Sequence, residues 1–416
     1  MTIVVLLILA GVTISLLLDE NGIIKKSKDA RREYGTSKTN EQEQMDNAND
    51  WIDEAVTGKK SNVVKSFKEA KTENSTIDGK KEGNANNPTI PAGYIPINTE
   101  TSKWGDGKDT PSQDSVDHGL VIKDDKDNEW VWVPVPDITV MCDTLNTTEY
   151  TLCGTTGETA VKTKLYSKSK IINGITRTTP GTSTSGSYRE PDLVVKYDAQ
   201  DTYYKTILGE KGTKEQLAKL FVAEYNEMIT SISKYGGFYI GRYELSGTVE
   251  NPTEKPGVTL TKTNWYNLYN ACRSSKLQAS DKVKTQMIWG IQWDVACDFI
   301  ANKGEQKNIK DSRDWGNYNN STGNAAVTVT ENGTETKKYG SKQNTGYSEY
   351  WKANNIYDLA GNCWEWTQEA IDTDLRAARG GYYGHYGSTQ FQAAASAVRT
   401  ATAADGSRPT LIIKSK

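Results

Sequence analysis

Hydrophobic positions divide this chain into stretches of different character. Ile3 to Leu18 is an almost unbroken apolar run, a little short of the roughly 20 residues that span a bilayer. Polar sequence compatible with helix continues from it toward Trp51-Ile52. From Gly58 to Gln113 the chain is rich in Lys, Asn, Thr and Gly, and Asp78 to Asn84 leaves nothing to bury. That composition predicts a linker. Apolar alternation returns at Gly119-Leu120-Val121-Ile122 and, past a charged turn, at Glu129 to Val135, which predicts a strand, a turn and a second strand. Asp143 to Thr206 is Thr/Ser/Lys-rich with weak periodicity, as expected of a surface insertion. Leu217, Leu220, Phe221, Tyr225 and Met228 then follow helical spacing, and Gly236 to Glu244 reads as a strand. The expected organisation is a hydrophobic-to-amphipathic helix over 1–57, a polar linker over 58–113 and a globular domain over 114–416. The insertion sits near 143–206 within that domain.

Three segments near the C-terminus stand in a fixed order: Gly361-Asn362-Cys363-Trp364-Glu365-Trp366, Arg379-Gly380-Gly381 and Ser407-Arg408-Pro409. They resemble the signature of the formylglycine-generating-enzyme family, a branch of the C-type lectin fold. Gly236-Gly237-Phe238-Tyr239-Ile240-Gly241-Arg242-Tyr243-Glu244 and Gln286 to Asp294 match two further segments of that family. The resemblance covers most of Gly119 to Ile413 and implies an α+β, C-type lectin-like domain. Catalytic members carry a cysteine pair between the R-G-G and the final arginine. Here the last cysteine is Cys363. The implied fold comes without the chemistry, so no enzymatic activity is expected, and a formylglycine-generating-type oxidase is the less favoured alternative.

The interval from Tyr382 to Asp405 opens Tyr-Tyr-Gly-His-Tyr-Gly-Ser-Thr-Gln-Phe-Gln and continues in Ala, Ser, Val, Arg, Thr and Asp. Tyr, Ser and Gly are the residues that antibody paratopes favour, because a stiff amphipathic ring gives contact area at low entropy cost. Asparagine is frequent up to Asn362 and absent after it. The interval is similar to that of the variable proteins of diversity-generating retroelements, which use the same lectin fold. Those elements rewrite template adenines, turning Asn codons into codons for Tyr, Ser, Gly, Ala, His, Asp, Thr or Phe. Gln390 and Gln392 do not follow from such codons and read as fixed positions. The resemblance implies a diversified ligand site, and the candidate contact residues are Tyr382, Tyr383, His385, Tyr386, Thr389, Phe391 and Arg399. Tyr383, His385, Tyr386 and Phe391 are expected at the surface, with Tyr382 the candidate for burial.

Charge and composition narrow the classes. With 53 acidic and 50 basic residues the charge balance argues against nucleic-acid binding, which calls for a basic stripe. Two histidines, His118 and His385, leave a His-based metal centre or catalytic triad without its parts. No cofactor is expected. Cys142 and Cys153 are near enough in sequence for a disulfide outside the cell, whereas Cys272, Cys297 and Cys363 sit among apolar residues and read as buried thiols. Asp358, Asn362 and Glu365 offer oxygens of the type calcium prefers, but no dense acidic loop accompanies them, and they are expected to satisfy buried polar groups. Arg242 with Glu244, and Arg379 with Arg408, are read as structural ties rather than anion sites.

The first fifty or so residues resemble type IV prepilin-like proteins. The basic leader, the processing glycine and the early glutamate of true pilins are not among them, and a leader is expected upstream of Met1. The positive-inside rule would keep the Lys/Arg-rich segment after the apolar run in the cytoplasm; the resemblance implies the opposite orientation. Together these readings give a membrane-anchored, cell-surface protein that binds an unknown protein or cell-surface ligand. A fixed-specificity pilin-like adhesin is the alternative.

Overall fold

The computed structural model describes residues 70, 73–105, 110–143, 145, 148–152, 161–166, 171–172, 175–176, 188–193, 204–331, 334–372, 375–386, 394–397 and 401–415. The chain divides into two compact units, Met1–Ser61 and Asn62–Lys416, and the described residues all belong to the second. The apolar run from Ile3 to Leu18 lies outside them. Among the described residues no helix is long and apolar enough to cross a membrane.

The second unit is α+β. Its strands are β1 (Ile95–Ile97), β2 (Val121–Lys123), β3 (Glu129–Pro134), β4 (Gly237–Gly241), β5 (Val283–Met287), β6 (Trp364–Asp372), β7 (Leu375–Arg379), β8 (Ala394–Ala397), β9 (Asp405–Ser407) and β10 (Pro409–Ile413). The main helices are α1 (Lys214–Tyr235), α2 (Trp265–Cys272) and α3 (Gly290–Asn302). A six-stranded antiparallel sheet has the order β1-β2-β3-β4-β10-β5. A second sheet has the order β8-β7-β6-β9, with only the β6–β9 pair parallel. The C-terminal strand β10 lies between β4 and β5 in the first sheet, so the last strand of the chain completes a sheet begun far upstream.

Local sequence explains the helix best seen in the pattern. Thr213 and Gln216 form a capping box at the start of α1, and Gly236 takes φ 77° at its end, which satisfies groups a helix leaves open. Leu217, Phe221, Val222, Tyr225, Met228, Ile229 and Ile232 form its buried stripe. Leu220, at the margin of that stripe, is only partly buried against the core. Eight tryptophans, Trp130, Trp132, Trp265, Trp289, Trp293, Trp315, Trp351 and Trp366, are almost fully buried. All but Trp351 belong to the main hydrophobic core.

Two expectations of organisation need correction. Much of the tract read as linker belongs to the fold. β1 is an edge strand of the main sheet, and Ile90, Ala92 and Tyr94 are buried. Trp132 Nε1 donates to Ala85 O at 3.0 Å, Tyr239 Oη to Thr89 O at 2.8 Å, and Trp104 Nε1 to Val121 O at 3.1 Å. Trp132 and Tyr239 of the sheet thus bind the tract's backbone, and Trp104 of the tract binds the sheet's, so the segment is tied to the core from both sides. The insertion also has a buried part. Arg189 bridges to Ala370 beside β6, and both Glu190 carboxylate oxygens accept from the N–H groups of Gly290 and Ile291 that open α3, where a helix favours negative charge. Cys142 is buried; Cys153 lies outside the described residues.

Candidate functional site

On either side of the short strand Ile356–Tyr357 the chain turns through left-handed residues, Asn354 (φ 45°) and Asn355 (65°) before it and Asp358 (55°), Gly361 (81°) and Asn362 (54°) between it and β6. Asn, Asp and Gly are the residues that enter this left-handed region at least cost. At Gly361 a Cβ would meet Asn317 O at 2.2 Å, so the turn requires glycine there. The motif's polar residues are therefore backbone-shaping residues first.

Their side chains then fix neighbouring loops. Asn362 Nδ2 donates to Glu244 Oε2 at 2.7 Å, and Asn362 Oδ1 accepts from Asn317 Nδ2 and from Gln343 N, each at 3.0 Å. Cys363 N donates to Glu244 Oε1 at 2.9 Å, and Thr259 Oγ1 to Glu244 Oε2 at 2.6 Å. The same Asn362 accepts from Tyr383 N through its carbonyl at 3.0 Å, while Asn319 N donates to His385 O at 2.9 Å. Tyr382 to Tyr386 is thus held at two backbone points by loops that are themselves pinned to buried groups.

On that frame lies an aromatic cluster. Trp364 meets His385 and Tyr382 meets Tyr383 edge-on, with ring centroids 5.0 and 5.1 Å apart, and Tyr382 and His385 lie tilted to each other at 4.5 Å. Tyr382, Tyr383 and His385 are half-buried, and Tyr386 is 65% exposed. The expectation of broad exposure therefore fits Tyr386, while Tyr383 and His385 lean on the cluster. Edge-to-face packing favours rings in just these positions. Thr389, Phe391 and Arg399 lie outside the described residues. Trp364, read in the sequence only as part of the fold signature, forms the floor of the surface, and Asn319 fixes its edge. The signal for Trp364 was weak, because both tryptophans of the W-E-W segment look alike in sequence. Trp366 is fully buried and Trp364 is not.

The charged residues resolve into structural ties. Arg408 reaches Glu365 through Nε at 3.0 Å and Nη2 at 2.6 Å, Gly241 O through Nη1 at 2.9 Å and Tyr357 O through Nη2 at 2.7 Å. Arg379 pairs with Glu369 and with Asp294, all three fully buried. Arg242 pairs with Glu129 at 2.5 Å rather than with Glu244, and its guanidinium lies over the rings of Tyr243 and Tyr357. Asp358 Oδ2 accepts from Thr345 Oγ1 at 2.9 Å and Gly346 N at 2.7 Å. Asp358, Asn362 and Glu365 are thus each engaged by protein donors. Among the described residues no group of three or more His, Cys, Asp or Glu side chains could hold a metal ion. Burial pushes the Asp358 carboxyl up to about 6 and the Glu365 carboxyl up to about 7, the latter against the pull of Arg408. Burial likewise raises Glu244, with the nearby Asp358 and Glu365 charges adding to it. The thiols of Cys272, Cys297 and Cys363 are also pushed up by burial, which keeps them protonated and unreactive.

No protein-family profile matches the chain. No curated protein matches it. Among solved structures it is similar to Treponema denticola variable protein 1, at 11% identity over 81% of this chain and 98% of that one, with a TM-score of 0.23. At that score the likeness carries no argument about the fold.

Proposed function

We propose that this chain is a ligand-binding protein whose specificity is set by the segment from Tyr382 to Asp405. It would be carried on a C-type lectin-like domain of the formylglycine-generating-enzyme type and diversified by a retroelement. The observation that carries the reading is an exposed aromatic on a loop whose backbone is held at two points. Tyr386 projects from a loop fixed at Tyr383 N and His385 O by a buried amide and carboxylate frame. A face that keeps its backbone while its side chains change can sample new ligands without refolding. An exposed ring beside half-buried ones supplies the anchor-and-rim arrangement that recognition surfaces use. The resemblance of residues 1–57 to prepilins supports display at the cell surface through a membrane helix, with a protein or another cell's surface as partner. Binding rather than catalysis is favoured by the sequence between Arg379 and Arg408, which contains no cysteine.

Sequencing the DNA that flanks the gene tests this reading. The expected result is a reverse transcriptase and a near-copy of the last coding segment that differs chiefly at adenines aligned with Tyr382 to Asp405. No copy and no reverse transcriptase would overturn diversification and leave a fixed-specificity adhesin.

A further inference from the structure

We infer that lysine-bearing loops outside the Tyr382–Asp405 segment complete the ligand face, and that the face takes an acidic polypeptide segment. The inference rests on the reading of the aromatic surface as a ligand site and deepens it by naming the ligand's chemistry.

Contacts place the loops. Asn319 N bonds His385 O, and Lys337 Nζ donates to Asn319 O at 3.0 Å, with Tyr339 beneath it at 4.0 Å from ammonium to ring centroid. On another side of the cluster, Trp364 N donates to Ala404 O at 2.7 Å and Lys262 N to Thr402 O at 2.8 Å. Lys342 Nζ donates to Thr261 Oγ1 at 2.6 Å, next to Lys262 in the chain. Loops 261–264, 317–320, 337–344, 382–386 and 401–404 therefore border one another around Trp364 and His385.

The charge of these loops departs from that of the chain. Acidic residues outnumber basic ones overall, 53 to 50. The bordering loops hold Lys262, Lys337, Lys338 and Lys342 and not one Asp or Glu. Lys337 and Lys262 are exposed. Lys337 is already held over Tyr339 and against Asn319, which lowers the entropy lost when it meets a partner. The cations come from separate loops around an aromatic centre instead of converging on one point. A single phosphate needs convergence; an apolar centre with a charged rim is the arrangement of a protein interface. Rim charges of one sign steer a partner of the opposite sign and make association salt-dependent.

The test uses the full chain, immobilised, with poly-L-glutamate as probe and heparin and poly-L-lysine as comparisons, at low and at high salt. Poly-L-glutamate is expected to bind at low salt and to weaken as salt rises. Lys337→Glu and Lys262→Glu are each expected to weaken it about fivefold to tenfold, and Tyr386→Ala by at least as much. Lys219→Glu makes the same charge change on the exposed face of α1 and is expected to leave binding unchanged. Circular dichroism confirms that each variant folds, and Lys262→Glu keeps the test independent of the Lys337–Asn319 contact. Equal loss in Lys219→Glu overturns the inference, since attraction to net charge would explain it. So does failure of poly-L-glutamate to bind, or binding of heparin in its place, which would identify an anionic polysaccharide. If Tyr386→Ala weakens binding and the two lysine variants do not, the ligand face stands and its acidic specificity falls. If the lysine variants weaken binding and Tyr386→Ala does not, the basic loops act apart from the aromatic surface, and the reading of that surface falls with the inference.

Discussion

Asn362 and Glu244, distant in sequence, meet at 2.7 Å in the interior, amide to carboxylate. Glu244 stands just beyond the end of the central strand β4, and Asn362 carries the turn from which Tyr383 hangs. The pair thus ties the sheet that makes the fold to the loop that would make the contacts. Replacing Asn362 by Ala leaves Glu244 Oε2 with one donor fewer and strands the groups of Asn317 and Gln343 that it satisfied. The expected cost is about 3 kcal/mol, the sum of a few unsatisfied buried polar groups, read as a lower urea midpoint. Asn362→Asp should be worse, because it sets a second carboxylate against Glu244. A variant Asn362→Asp as stable as the native chain would contradict the assignment.

Arg408 with Glu365 offers a second, separable test. Arg408→Ala abandons a fully buried carboxylate and two backbone carbonyls and should cost about 3–5 kcal/mol. Glu365→Gln made together with Arg408→Met removes both charges and should recover a large part of that loss. A double-mutant cycle on chemical unfolding measures the difference. Additive losses would mean that the two residues are not coupled.

The buried acids fix the direction of pH dependence. Burial raises Glu244 and Glu254 above their usual range, Asp358 to about 6 and Glu365 to about 7. A carboxyl whose folded pKa is raised keeps its proton longer in the native state than in the unfolded one. Between roughly pH 4, where such groups titrate unfolded, and pH 7, the native state therefore binds more protons, and stability falls as pH rises. Asp78, held to about 2 mainly by its hydrogen bond with Lys80, acts the other way only at the acid end. The unfolding midpoint should be higher near pH 5 than at pH 8. A midpoint that climbs across that range would sink the claim.

Tyr386 and Trp364 should separate recognition from stability. Tyr386→Ala removes a ring that is 65% exposed and should change stability by about 0.5 kcal/mol or less. Trp364→Ala removes the floor on which Tyr382 and His385 rest and, since Trp364 is only half-buried, should cost about 2 kcal/mol, less than the roughly 3–5 kcal/mol of truncating a fully buried tryptophan. Thermal melts of the two variants compare them directly. A larger loss for Tyr386 than for Trp364 would reverse the placement of the surface.

How much was legible in the sequence follows from which interactions are local. The α1 stripe was readable because helical period acts within a few residues, whereas Gly236, read as the start of a strand, proves to be the cap that ends the helix. The segment from Asn354 to Asn362 was legible as a signature, but its left-handed backbone was seen only in the structure. The engagement of Arg408 was expected in kind but not in partner, since its acceptors lie on Gly241, Tyr357 and Glu365. The tract from Ala85 to Ile97 was misread because its burial depends on Trp132 and Tyr239, whose side chains reach it from across the sheet. Glu190 was lost in a polar insertion for the same reason: its partners are the first N–H groups of α3, far along the chain. The α+β class was legible through the resemblance of several segments to a known family, and the aromatic interval through its composition. Only the tertiary structure decided that Tyr382 and His385 pack on Trp364 while Tyr386 is exposed, and that lysines from other loops border them. Exposure and neighbourhood belong to the folded surface, and no local pattern along a chain encodes which distant loop will lie beside a given ring.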